Sequence, residues 1–243
     1  MIKQIEGIVI STVDYKESSK ILNILSIEEG MIGVLAKGSK RLKSKISATS
    51  NVLTYGIFHL KYNKGGIPLL LEVDIKNSFK YIKKDFFKMN YAVFLLELVS
   101  QVYKYDSVKD VYNLLISGLY KINDGYDPQV ITNIIELKML SYLGIKPVID
   151  CCVNCRNTNN IITISSYKGG FLCQKCAENE PKFNLKTLGL IRMLYYVDLT
   201  KINKIDISDD IKKEISTFID DYYDRYSGLY LKSKHLLETF KNV

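Results

Sequence analysis

The sequence predicts an α+β protein: a five-stranded β-barrel over residues 1–80, then an all-helical region over 81–243 that carries a four-cysteine insert at about 149–178. Three observations predict it. The hydrophobic period changes from two to about 3.6 near residue 80. Two Cys-x2-Cys pairs stand in the second half. The positive charge is segregated: residues 1–84 hold 14 Lys/Arg against 7 Asp/Glu, residues 85–243 hold 20 against 19, and the net formal charge is +8. At 47% hydrophobic and 25% charged, the 243 residues have ordinary globular composition and length enough for two domains.

The barrel prediction rests on five short β-rich runs. Ile5 to Val13 comes first, with Ile8 and Ile10 on one face. Ile21 to Ile27 ends at the turn-like Glu28-Glu29-Gly30. Met31 to Ala36 is closed by Lys37-Gly38-Ser39. Val52 to Tyr62 alternates loosely, and Lys64-Gly65-Gly66 turns the chain into Leu69 to Ile75. Five strands in about 77 residues fit the oligonucleotide-binding (OB) fold. An SH3-like barrel or half of a sandwich fits the periodicity nearly as well. Within this third, Lys37, Lys40, Arg41, Lys43 and Lys45 follow one another with no acidic residue between them. Clustered cations raise the local potential and attract a polyanion, whereas the same charges spread evenly mostly aid solubility.

From Asp85 the spacing is helical. Phe87, Tyr91, Phe94, Leu95, Leu98 and Val102 form an apolar stripe over Phe86 to Tyr103. Ser107 with Asp110 reads as a capping box for a helix through Ile122. Asp127-Pro128 sets an N-cap before a proline at the first helical position, and Gly144 ends that helix near Leu143. Leu185 to Tyr196, Ser208 to Tyr226 and about Lys232 to Phe240 complete the helices.

Cys152-Val153-Asn154-Cys155 and Cys173-Gln174-Lys175-Cys176 are separated by 17 residues. That spacing suits a tetrahedral four-thiolate zinc site, each pair supplying two ligands from a tight turn. Lys168-Gly169-Gly170 precedes the second pair and reads as the turn that returns the chain to the metal. Four cysteine ligands leave no coordination position for water or substrate, so one structural Zn2+ is expected. Arg156 and Lys175 offset part of its formal charge. Cys151 is the odd fifth cysteine and reads as a spare thiol; a redox Cys-x-x-Cys needs a parallel α/β context that neither pair has.

No glycine loop ending in Lys-Ser/Thr, no Gly-x-Ser-x-Gly elbow and no His-Glu-x-x-His helix is present, so no nucleotide cofactor is expected. The only histidines are His59 and His235. No constellation suggests catalysis, and the chain is not expected to be an enzyme. The first residues lack the apolar stretch of a signal peptide and no run is long enough to span a membrane, so the expected location is the cytoplasm, where paired cysteines more often mean metal than disulfide.

At Gly7-Ile8-Val9-Ile10, Asp14-Tyr15-Lys16-Glu17-Ser18-Ser19-Lys20-Ile21-Leu22, Gly30 with Gly33, and Ala36-Lys37-Gly38 with the basic run to Lys45, the sequence closely resembles the RecO family of bacterial recombination mediators. The Cys152/Cys155 and Gly169-Gly170-Phe171-Leu172-Cys173/Cys176 segments extend the resemblance over essentially the whole chain. It implies an N-terminal OB barrel, a helical C-terminal region and a zinc-binding insert. It further implies a protein of the nucleoid that binds single- and double-stranded DNA and anneals complementary strands. With RecR, such a protein loads RecA onto strands coated by single-stranded-DNA-binding protein. Carried over by position, the DNA-binding candidates are the basic run Lys37 to Lys45, Lys16 and Lys20 at the first connection, and Lys61 and Lys64 at the hairpin before the last strand. Tyr15 and Tyr62 are the candidates for stacking on bases. Competing readings are an RNA-binding protein of the translation or transcription machinery, which a basic loop alone does not exclude, and a scaffold whose basic face holds an acidic protein tail.

Overall fold

The structure is a computed structural model and describes residues 1–62, 65–104, 108–234 and 237. Five strands open the chain: β1 (Ile2–Tyr15), β2 (Ser19–Ser26), β3 (Gly30–Ala36), β4 (Tyr55–Lys61) and β5 (Leu69–Asn77). Their order is β1-β2-β3-β5-β4, and β4 pairs back onto β1 with Ile5 opposite Phe58, so the ring closes. All neighbours are antiparallel except β3 and β5, which meet in parallel at Leu35 and Leu69. The Leu35 N–H donates to the Pro68 carbonyl at 2.8 Å and extends that seam. This strand order is that of the OB barrel, and it decides among architectures that periodicity alone left open.

Alternation along the strands fills the barrel with Ile5, Val9, Leu22, Ile24, Val34, Phe58, Leu60 and Leu70, all buried. A fully buried Phe58 alone is worth about 1.5–3 kcal/mol relative to exposure. β1 is buried on both faces: Ile8 and Ile10 point the other way from Ile5 and Val9 and are also covered. Its pairing with β2 shifts register between Val9 and Ser11. The fourth strand starts later than expected, because Val52 to Thr54 form a turn. There Leu53 is buried with φ 65°, its N–H donates to the Val9 carbonyl at 3.0 Å, and Val9 donates to Thr54 at 2.9 Å. The β1–β4 seam runs Gly7 opposite Gly56. A side chain at Gly56 would collide with the Asp74 carbonyl oxygen and reach the Ile75 Cα at 3.1 Å.

A single turn, α1 (Lys80–Lys83), not foreseen in the sequence, links the barrel to α2 (Phe86–Val102) and α3 (Val108–Asn123). Asp85 caps α2 by accepting from the Lys88 N–H at 3.1 Å. The expected inward stripe holds at Tyr91, Phe94, Leu95, Leu98 and Val102. It fails at Phe87, which is 59% exposed although Tyr91, one turn on, is buried. Ser107, the expected cap of α3, lies outside the described residues, as do His235 and most of the expected last helix, of which residues 232–234 are helical.

The described chain falls into two compact units, Met1–Leu119 with Lys232–Val243, and Tyr120–Leu231. The second unit contains α4 (Pro128–Tyr142), β6 (Ile161–Ser165), β7 (Gly170–Cys173), α5 (Leu185–Tyr196) and α6 (Asp209–Tyr226). Asp127 caps α4 as expected, accepting from Gln129 N–H at 2.8 Å and Val130 N–H at 3.2 Å. α4 is central, buried almost continuously from Val130 to Leu140, with Thr132, Asn133 and Glu136 enclosed beside its apolar side chains. Two bonds tie it to its neighbours: Tyr223 of α6 donates to the Glu136 carbonyl at 2.9 Å, and Lys138 donates to the Tyr195 carbonyl of α5 at 2.9 Å. Among the described residues no helix is long and apolar enough to cross a membrane.

Gly56→Ala is expected to destabilise the barrel by about 1–3 kcal/mol, the usual cost of overpacking a rigid site. Urea denaturation followed by circular dichroism reads it out; an unchanged midpoint would show that the β4–β5 pair opens at no cost.

Candidate nucleic-acid interface and four-cysteine centre

The basic run occupies the connection between β3 and β4. It is a chain of tight turns: the N–H groups of Ser39, Arg41, Ser44, Ser47 and Ser50 each bond to the carbonyl three residues back, at 3.0–3.4 Å. Serines at this spacing suit consecutive turns. Both legs of the loop are pinned to the barrel. Gly38 N–H donates to Ser19 Oγ at 3.0 Å and Lys40 N–H to the Ser18 carbonyl at 3.0 Å. On the other leg, Lys20 Nζ donates to Asn51 Oδ1 at 3.1 Å and to the Ser50 carbonyl at 3.4 Å, and Ser39 and Ser50 are buried. The loop therefore presents its charges from a braced backbone.

Lys37, Arg41, Lys43 and Lys45 are exposed and make no ion pair among the described residues. Lys40 pairs with Asp14 at 2.7 Å, and that hydrogen bond holds the Asp14 carboxyl below its ordinary range. Lys16 stands in the β1–β2 connection, with its ammonium 5.4 Å from the Tyr15 ring centroid; Tyr15 is 37% exposed. The Lys40–Ser18 and Gly38–Ser19 bonds put this connection beside the basic loop, so Tyr15, Lys16, Lys37, Lys40, Arg41, Lys43 and Lys45 share one rim. Lys20 belongs to the brace. Lys61 is exposed at the end of β4, opposite Ile2 and Leu69. Lys64 lies outside the described residues. Tyr62 packs against the barrel core with its hydroxyl buried and unpartnered, and burial pushes the phenol up. Sequence spacing treats all nine cations alike; only the tertiary bonds separate those that brace from those that face outward.

The β6–β7 hairpin builds the cysteine centre. Phe171 N–H donates to the Val148 carbonyl and Val148 N–H to the Gly169 carbonyl, at 2.8 and 2.9 Å. This approach requires a glycine at 170, where a Cβ would meet Val148 N at 2.8 Å. Val153 N–H donates to the Phe171 carbonyl at 2.8 Å, which ties the first cysteine turn to the strand that delivers the second. The turns close by Arg156 N–H to the Cys152 carbonyl and Cys176 N–H to the Cys173 carbonyl, both at 2.9 Å.

The Sγ atoms of Cys152, Cys155, Cys173 and Cys176 lie within 4.8 Å of one another, and Cys155 and Cys173 approach to 3.6 Å. Ligands about 2.3 Å from a tetrahedral ion sit roughly 3.8 Å apart, so the four thiols fit a metal ion. Cys151 stands outside the cluster. Burial pulls the Cys152 thiol up, but backbone groups of Cys173, Cys155 and Asn154 outweigh it and bring the thiol down to about 6. The Asn157 backbone lowers Cys155, yet the Cys173 and Cys152 thiols leave it raised overall. Cys176 is pushed up to about 12, first by its bond to Cys155 and then by burial. One thiolate thus forms readily and opposes the next, a repulsion that a divalent cation relieves.

The fold and these two features define an OB-barrel protein with a four-cysteine cluster that could hold a metal ion. The family model for the recombination protein O N-terminal region matches residues 1–79, and that for the recombination protein O C-terminal region matches residues 83–235. The DNA repair protein RecO of Halalkalibacterium halodurans is 36% identical over 248 residues, covering 100% of this chain and 97% of the relative. That of Bacillus subtilis is 35% identical over 247 residues, covering 100% and 96%. The chain belongs to the RecO family.

Metal uptake must expel the protons held on Cys155 and Cys176, because only thiolates ligate. The raised thiols stay protonated below their pKa, so lowering the pH opposes binding. Competition against a chromophoric chelator is expected to show apparent affinity falling by at least about a hundredfold per unit from pH 8 to 6, the mark of at least two protons released. A flat profile would mean that these thiols are not the ligands.

Proposed function

We propose that this chain is a DNA-repair and recombination mediator that binds single- and double-stranded DNA on the rim formed by the β1–β2 and β3–β4 connections. It anneals complementary strands and, with RecR, loads RecA onto strands covered by single-stranded-DNA-binding protein, in the cytoplasm at the nucleoid. The observation that supports it most is the braced loop: Lys37, Arg41, Lys43 and Lys45 carry no partner among the described residues, on a barrel whose family relatives are named DNA repair proteins. Lysine and arginine on phosphates release counterions and bind without reading sequence. Connections of the OB barrel are its usual route to oligonucleotides. Shielding the phosphates of two strands lets them approach, which gives annealing a physical basis without nucleotide hydrolysis. Tyr15, beside Lys16, offers a ring to a base at the edge of the same rim.

The metal in the cysteine centre is proposed to be one Zn2+, held by Cys152, Cys155, Cys173 and Cys176. With four sulfur ligands it has no open position and acts as a brace for the hairpin.

Two measurements test this reading. Replacing Arg41, Lys43 and Lys45 by Gln is expected to flatten the dependence of log affinity on log salt by about 0.7–0.9 per lost phosphate contact. An unchanged slope would place the DNA elsewhere. Elemental analysis of the purified protein is expected to find one zinc per chain, and Cys173→Ser is expected to abolish it; an equal zinc content in the variant sinks the assignment.

A further inference from the structure

Where β5 gives way to α1 and α2, three large rings face outward. Tyr81, Phe86 and Phe87 are 62%, 60% and 59% exposed. Phe86 and Phe87 meet edge to face with centroids 6.0 Å apart. Single exposed apolar side chains are ordinary on a protein surface, but three aromatics within seven residues form a patch that needs a reason.

The rings are not core residues left over by a loose helix. The inward positions around them are already filled: Phe79 and Ile82 are fully buried, and Tyr91 and Phe94 are buried on α2. Two anchors hold the segment. Phe79 adopts a left-handed backbone with φ 46°, takes Asn77 Oδ1 on its N–H at 2.8 Å, and stacks on Tyr55 with centroids 5.9 Å apart. Asp85 caps α2.

The surrounding charge points the same way. Residues 75–96 contain five lysines and a single acid, Asp85. Asp85 has Lys88 at 3.8 Å, and Lys76 is paired with Glu6. Lys80, Lys83 and Lys84 have no carboxylate partner among the described residues.

We propose that the α1–α2 junction is a second contact for single-stranded DNA, in which Tyr81, Phe86 and Phe87 stack on unpaired bases while Lys80, Lys83 and Lys84 meet the flanking phosphates. It rests on the reading that this chain binds DNA, and adds a site on the same compact unit but outside the basic rim. Aromatic faces beside unpaired cations are the composition of a single-strand platform. A protein tail is anchored instead by burying an apolar side chain in a concave pocket, and rings exposed by about three-fifths do not enclose one. A duplex keeps its base faces stacked inside and offers the patch only phosphates. The junction therefore favours single strands, whereas the basic rim takes both.

The chain contains no tryptophan, so Phe87→Trp creates a sole indole reporter in the full-length protein. Single-stranded oligo-dT is expected to quench its emission saturably, and a duplex of equal length is not. In anisotropy titrations, Tyr81→Ala, Phe86→Ala and Phe87→Ala together are expected to weaken single-strand binding at least about tenfold with the salt slope unchanged, and to leave duplex binding within about twofold. The ring-preserving Tyr81→Phe with Phe86→Tyr is expected to bind like the parent. Absent quenching with unchanged affinity overturns the proposal. Equal losses on single strand and duplex also overturn it, since the rings would then serve folding. Quenching by an acidic peptide and not by oligo-dT would replace it with a protein-docking surface. If the parent protein binds no DNA at all, the broader reading fails. If neutralising Arg41, Lys43 and Lys45 weakens binding and the alanine variant does not, this inference alone fails.

Discussion

Closure of the barrel through β1 is the constraint on which the described first unit depends. This strand spans 14 residues and pairs with β2 along one edge and β4 along the other. Its middle is buried on both faces, with Ile5 and Val9 inside the barrel and Ile8 and Ile10 covered outside. Its first half, Ile2 to Ile8, pairs with β4 and its second half, Gly7 to Tyr15, with β2, so this one strand carries the ring across its seam. Closure also sets where the connections emerge. Because β3 meets β5 in parallel at Leu35 and Leu69, the chain must cross the end of the barrel between β3 and β4. The basic residues sit in that crossing, and their serine-rich turns satisfy the backbone there.

The braced loop and the cysteine centre use rigidity in the same way. In each, like charges are brought together by backbone hydrogen bonds, and the bonds oppose a repulsion that a counter-charge then relieves. On the loop the proposed counter-charge is a phosphate chain; at Cys152, Cys155, Cys173 and Cys176, whose sulfurs cluster within 4.8 Å, the proposed one is a divalent cation. Lys20 shows how the brace ties down a cation: its ammonium donates to the Ser50 carbonyl and to Asn51 Oδ1, so it holds the loop in place. Preorganised charge loses less conformational freedom on binding than flexible lysines would.

Much of this was legible from residues in order. The Cys-x2-Cys spacing names the four cysteines that come together, because each pair needs only a local turn to point two sulfurs one way. Asp127-Pro128 marks the start of α4 because the cap and the missing N–H act within one turn. Tyr195, Tyr222 and Tyr223 are buried in the helical core, while Tyr196 and Tyr226 are 50% and 41% exposed. Phe87 shows where spacing misleads: helical period fixes which way a side chain points, and not whether another layer extends far enough to cover it. Tyr62 is the opposite case, a ring beside a turn that the barrel core absorbs.

What the sequence by itself determined is whatever depends on neighbours within a few residues: strand and helix periods, caps, turns, the cysteine knuckles and the acid-free basic run. Which cations face outward, which aromatics remain exposed and how five strands close into a ring were decided only by tertiary structure. Each of those depends on groups far apart in the chain, such as Lys20 with Asn51 or Gly56 with Asp74, whose meeting no local period encodes.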